Sequence, residues 1–176
     1  MTKQFYGVVA EDSKVFDNES WRKRYELVAN IINSNTYLNV LDLGGGDGKL
    51  ESWLEPHVEY SIIDMSKRHP QTTVADFNKN EFPYFKDPFN LITCLGLIEY
   101  IDNPRSFLAH IRRYSGMMIL THNSLGKPIK WQKNWYSPLE MQRMLIDTGW
   151  EIERIVENGP FEKVYLCRQI YKSPHL

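Results

Sequence analysis

The sequence predicts an α/β fold: a mostly parallel, seven-stranded sheet with helices on both faces and a C-terminal antiparallel hairpin. Three observations carry that expectation. Short, almost wholly apolar runs alternate with segments of helical period, the pattern of strands covered on both faces. A glycine cluster stands between the first apolar run and the helical pattern after it. The last two β-like runs are separated only by a Gly-Pro turn.

Taken in order, the first element is a helix from Trp21 to Ile32, where Tyr25, Val28, Ile31 and Ile32 recur at helical spacing. Asn18 or Ser20 is its expected cap, and the polar run Ser34-Asn35-Thr36 follows it. Next comes a β-branched and leucine-rich run, Tyr37 to Leu43, that stops at three glycines; a short helical pattern, Lys49 to Leu54, begins just past Gly48. The runs YSIID, TTVAD, FNLITCL and MMILT read as further buried, parallel strands. Pro104 to Tyr114 reads as a helix with Pro in its first turn and Phe107, Leu108 and Ile111 on one face. Ser137 and Pro138 open another, which runs through Met141, Met144 and Leu145 to a stop at Gly149. WEIERIVEN and EKVYLCRQI close the sheet as the hairpin.

With 176 residues, 42% hydrophobic and 24% charged, the chain has the composition of an ordinary globular domain with a sizeable core. The expected organisation is a single domain over 1–176, with 1–36 as an N-terminal lid and helix and 37–170 as the core. A net charge of -1 and a pI near 6.5 provide no broad positive field for a nucleic-acid backbone. No apolar stretch approaches the roughly 20 residues of a membrane span, and the start lacks the apolar core of a secretory signal, so a cytoplasmic location is expected. Cys94 and Cys167 sit in apolar runs without a histidine cluster, as buried thiols rather than metal ligands.

The chemistry-bearing residues collect at the ends of the predicted strands. Asp42, Gly44, Gly46 and Gly48 form D-x-G-x-G-x-G directly after one strand, with Gly45 inside the same turn. Glycines there let a ligand approach the backbone, whose N–H groups then face it. A G-x-G-x-x-G dinucleotide fingerprint would need glycine where Lys49 stands, which disfavours a nicotinamide oxidoreductase. Asp64 ends YSIID about 20 residues further on, where a carboxylate can accept from ribose hydroxyls, and Asp76 and Phe77 follow TTVA.

In this glycine loop and its ordered acids, Val40 to Asp76, the chain resembles the class I, Rossmann-like methyltransferases; the likeness runs on more generically over Tyr37 to Ile170. The resemblance implies S-adenosylmethionine as cofactor. Its methionine part would lie on Asp42, Gly44, Gly45, Gly46 and Gly48, its ribose on Asp64, and its adenine at Asp76 and Phe77 with Leu95 and Gly96 beside it. Two departures stand out. Relatives often carry Glu-His where this chain has Glu99-Tyr100, and SKRHPQ leaves only a few residues for the crossover after Asp64, so its helix must be shortened or replaced by a loop. The expected reaction is methyl transfer to a small molecule or to a glycan or nucleotide precursor, with no membrane and no extended nucleic acid as partner. Retained cofactor binding without catalysis, in a pseudoenzyme that regulates a partner, is the alternative. Candidate catalytic residues are Tyr100 and His122, with Asn123 beside them. Trp131, Trp135 and Tyr136, interleaved with Lys127, Lys130 and Lys133, are a candidate wall over the same edge, and Tyr6 and Trp21 candidate covers for the cofactor.

Overall fold

The computed structural model describes residues 19–124 and 132–170. Seven strands form one sheet: β1 (Asn39–Leu43), β2 (Glu59–Asp64), β3 (Thr72–Val74), β4 (Leu91–Leu95), β5 (Met117–Asn123), β6 (Trp150–Asn158) and β7 (Glu162–Gln169). Their order is β3-β2-β1-β4-β5-β7-β6. The first five strands run parallel, and β7 is antiparallel to both β5 and β6. The expected sheet with its antiparallel hairpin is what the chain forms.

Alternation along the strands divides the core between two faces. On one face α1 (Glu19–Asn33) packs Val28, Ala29 and Ile32 against Val40, Ile62, Leu91, Ile119 and Val164. The opposite face takes α2 (Pro104–Ile111) and α3 (Pro138–Asp147), which bring Phe107, Leu108, Met141 and Leu145 onto Leu41, Ile63, Cys94, Leu120 and Cys167. Both cysteines are buried free thiols, as expected. The helix starts follow their sequence signals: Asn103 accepts from the Ser106 N–H with Pro104 next in line, and Ser137 and Glu140 make a reciprocal capping box. The Asn18 cap lies outside the described residues. None of the described helices is long and apolar enough to cross a membrane.

Several boundaries differ from the sequence expectation, each with a local cause. The Lys49 to Leu54 pattern forms only a 3-10 turn, Lys49–Trp53, and α2 stops at Ile111 rather than Tyr114. No helix forms between β2 and β3, although the two strands are parallel. The short link works because β3 has three residues and pairs Ile62 with Thr72 and Asp64 with Val74. The chain therefore climbs back by about 7 Å and sideways by about 5 Å, well within the reach of residues 65–71. The strand at MMILT continues through His122 and Asn123, because β7 pairs them with Lys163 and Glu162.

Candidate active site

The strand order reverses direction at β1, flanked by β2 on one side and β4 on the other. In open α/β sheets the crevice at the carboxyl ends of such strands is where ligands bind. At this edge stand the glycine loop after β1, Asp64 at the end of β2, Asp76 after β3, Leu95 at the end of β4 and His122 near the end of β5. Because β7 runs the opposite way, its first residue, Glu162, arrives at the same edge opposite Asn123.

Asp42 lies inside the sheet rather than on its rim. The Tyr60 hydroxyl donates to its Oδ2 at 2.5 Å and the Thr93 hydroxyl to its Oδ1 at 2.7 Å. Burial pushes its carboxyl up to about 6 despite those two hydrogen bonds, which pull the other way. The glycines after it serve different ends. A Cβ on Gly45 would lie 2.8 Å from Asp42 Oδ2 and 3.0 Å from Ile62 Cγ2, so this residue is glycine for packing. Gly46 has φ +60°, and among the described residues a Cβ there would meet only the side chain of Arg68, at 3.1 Å from Nη2. Gly44 and Gly48 share the left-handed conformation, against Leu97 and His69.

Asp64 is buried and already linked to the glycine loop: its Oδ2 accepts the Gly46 N–H at 3.1 Å, while Oδ1 accepts the Ser66 N–H and hydroxyl at 2.9 and 3.0 Å. Asp76 lies two residues beyond β3, where its Oδ1 accepts the Asn78 N–H at 3.0 Å and Lys79 approaches Oδ2 at 3.4 Å. The Phe77 ring packs among Phe82 and Phe107 in the core. Leu95 is half-buried, and after it Gly96 donates its N–H to the Thr121 hydroxyl at 2.8 Å.

Around the ends of β4 and β5 stand two residues that sequence reading passed over, Arg24 and Glu162. Arg24, on α1, is buried and ion-paired with Glu162, its guanidinium 4.8 Å from the Trp21 ring and against Gly96. Glu99 is buried too, its Oε1 accepting the Asn123 N–H at 2.9 Å, and burial raises its carboxyl above the usual range. Among the described residues Glu99 Oε2, Arg24 Nε and Nη1, and both ring nitrogens of His122 have no hydrogen-bond partner. Arg24 had a signal in the sequence, since it continues the Val28 and Ile32 stripe at four-residue spacing. Glu162 had none beyond its place at a strand start.

Of the two candidate catalytic residues, Tyr100 lies in the turn after β4, its phenol pushed up to about 12 by burial, and His122 is fully buried 5.9 Å from the Tyr136 ring, with burial lowering it to about 4. They stand on different elements, Tyr100 in the turn after β4 and His122 within β5. In the candidate aromatic wall, Trp135 is exposed, Tyr136 packs on the core and Lys133 pairs with Asp102 at 2.5 Å. Lys127, Lys130, Trp131 and Tyr6 lie outside the described residues. Asn134 fastens the segment before α3 to the β4 turn, its side chain donating to the carbonyls of Ile98 and Ile101.

Comparison with known proteins agrees with this architecture. No curated protein matches the chain by sequence. A methyltransferase from Clostridium acetobutylicum described as S-adenosylmethionine-dependent is 14% identical with a TM-score of 0.67, covering 97% of this chain and 99% of its own. A second, from Aquifex aeolicus, is 18% identical with a TM-score of 0.69, over 89% and 96% of the two chains. The 1,6-didemethyltoxoflavin-N1-methyltransferase of Burkholderia thailandensis, solved with 1,6-didemethyltoxoflavin and S-adenosylhomocysteine, is 13% identical with a TM-score of 0.75, over 96% of this chain and 87% of that one. At these identities the likeness is one of fold. The methyltransferase domain family, however, matches residues 14–166, nearly the whole length, and the chain belongs to that family.

Proposed function

We propose that the protein transfers a methyl group from S-adenosylmethionine to a small polar acceptor, a metabolite or a glycan or nucleotide precursor. The observation that carries this reading is the junction of Gly46 and Asp64: a positive-φ glycine whose open side meets, among the described residues, only a flexible side chain, joined to a buried carboxylate at the next strand end. Such a cradle fits a nucleoside with a small charged extension and has no place for a pyrophosphate fingerprint. Gly44, Gly46 and Gly48 would hold the methionine part, Asp64 the ribose hydroxyls, and the turn at Asp76 and Phe77 with Leu95 the adenine. The Phe77 ring is committed to the core, so its contribution would come from the backbone.

Bound S-adenosylmethionine supplies an electrophilic methyl group, so the protein's task is alignment and exclusion of water. Asp42, held by Tyr60 and Thr93, fixes the start of the glycine loop. On the acceptor side the Tyr100 phenol stays protonated at neutral pH, so it can hydrogen-bond but does not serve as a base. Glu99 offers an oxygen that is unpaired among the described residues, on a carboxylate that burial makes more basic, and Arg24 offers donors unpaired among them beside it. His122 is neutral and can take one hydrogen bond from an acceptor hydroxyl or amine.

Calorimetry with S-adenosylmethionine and S-adenosylhomocysteine tests this directly. Dissociation constants at or below roughly 100 μM, about 5.5 kcal/mol, are expected for both. Gly46→Val should abolish binding while leaving the fold, since its Cβ would fill the cradle in a conformation strained for valine. Silence from the wild type at millimolar ligand would refute the reading.

A further inference from the structure

We propose that Arg68 sets the affinity for the cofactor by competing with its ribose for Asp64. The proposal deepens the S-adenosylmethionine reading above and rests on it. Its basis is the strap of residues 65–71, which replaces a crossover helix and lies against the glycine loop. One part of the strap is anchored: His69 Nε2 sits 3.0 Å from Glu51 Oε2, its ring stands edge-on to Tyr60, and it covers Gly48. The neighbouring Arg68 crosses the open side of Gly46 and brings Nη2 to 3.9 Å from Asp64 Oδ2, with 31% of its side chain exposed.

The two oxygens of Asp64 are not equivalent. Oδ1 already accepts twice from Ser66, whereas among the described residues Oδ2 accepts only the Gly46 N–H and faces the guanidinium. A carboxylate can accept about four hydrogen bonds in all, so Oδ2 has the room that a ribose hydroxyl needs. To reach it, the hydroxyl must enter where Arg68 lies. The Arg68 to Asp64 separation is longer than a hydrogen bond, so the attraction is one that a half-exposed side chain can give up. Arg68 therefore compensates the buried charge while the nucleoside is away and swings out when the ribose arrives. Substrate and product carry the same ribose, so both are held less tightly, and release of S-adenosylhomocysteine after transfer is eased.

The test compares binding of S-adenosylhomocysteine and of 5′-methylthioadenosine, which keeps the ribose and lacks the amino-acid end, by calorimetry. Arg68→Ala should tighten both ligands by the same factor, roughly twofold to fivefold, the range set by partly exposed ion pairs. Arg68→Lys, which keeps the charge, should stay near wild type. In an Asp64→Asn background, Arg68→Ala should no longer tighten either ligand. Weaker or unchanged binding in Arg68→Ala would overturn the proposal, as would a gain confined to S-adenosylhomocysteine, which would place Arg68 at the amino-acid end. Those results leave the cofactor reading standing; failure of wild type to bind either ligand removes both.

Discussion

His122 and Asp42 show how strongly burial acts on single residues at the sheet edge. His122 has no exposed surface and no partner among the described residues, and burial lowers its pKa to about 4. In the unfolded chain a histidine titrates near 6.5, so between those values the unfolded state holds the extra proton and folding stability rises with pH. The loss on acidification begins near pH 6.5 and is complete near 4. Over that window it amounts to at most about 3 kcal/mol. Asp42 has the opposite sign. Its folded pKa of about 6 exceeds the unfolded value of 3.8, so its proton favours the native state and stability falls as pH rises through 4 to 6. The two slopes oppose each other in wild type, and replacing one exposes the other. Urea unfolding of His122→Leu should therefore show that the variant gains on wild type as the pH is lowered from 7 to 4, by up to about 3 kcal/mol. Parallel pH profiles would show that the imidazole takes up its proton as readily in the folded state as in the unfolded chain, and would refute the effect of burial.

At the scale of elements, the turn after β4 and the segment leading into α3 form one unit through Asn134. Its side-chain amide donates to the Ile98 and Ile101 carbonyls, its own oxygen accepts from the Tyr136 hydroxyl at 3.2 Å, and the Lys133 and Asn134 N–H groups donate to the Glu99 carbonyl. Asn134→Ala strands the Ile101 carbonyl, while the Ile98 carbonyl keeps the Ile101 N–H, and should lower stability by about 1–2 kcal/mol, read as a fall in Tm. An unchanged Tm would mean that water replaces the amide at no cost. The sequence already showed the elements themselves, because Val40 to Leu43, the glycines and the Ser137 cap each signal locally. Asn134 was hidden in the polar, aromatic run between strand and helix, where nothing marks one amide as the anchor. The extension of β5 through His122 was hidden for a related reason: it depends on pairing with Lys163, a register that MMILTHN alone does not state.

Across the whole molecule, the part of the site that follows from chain order was readable and the part made by distant residues was not. Gly46, Asp64 and Asp76 fall within a short stretch at or just past the ends of successive strands, so their order alone places them on one edge, with Asp42 one step inside the sheet. Arg24 and Glu162 are 138 positions apart, and their meeting depends on α1 covering the same face from which β7 presents its first residue. That pair ties the first described helix to the last strand. Both side chains are over nine-tenths buried, and Asn158 adds a hydrogen bond to Glu162 Oε2 at 2.6 Å. Desolvating two charges offsets much of their attraction, so the pair as a whole need add little stability, but removing one partner leaves the other buried and uncompensated. Arg24→Met and Glu162→Met should each cost about 3–5 kcal/mol in urea unfolding. The double variant Arg24→Met, Glu162→Met should cost clearly less than the sum, because neither charge of the pair is then left facing an empty partner and contacting residues are not additive. Single variants within about 1 kcal/mol of wild type would show that water reaches the pair and that α1 is held by Val28, Ala29 and Ile32 alone.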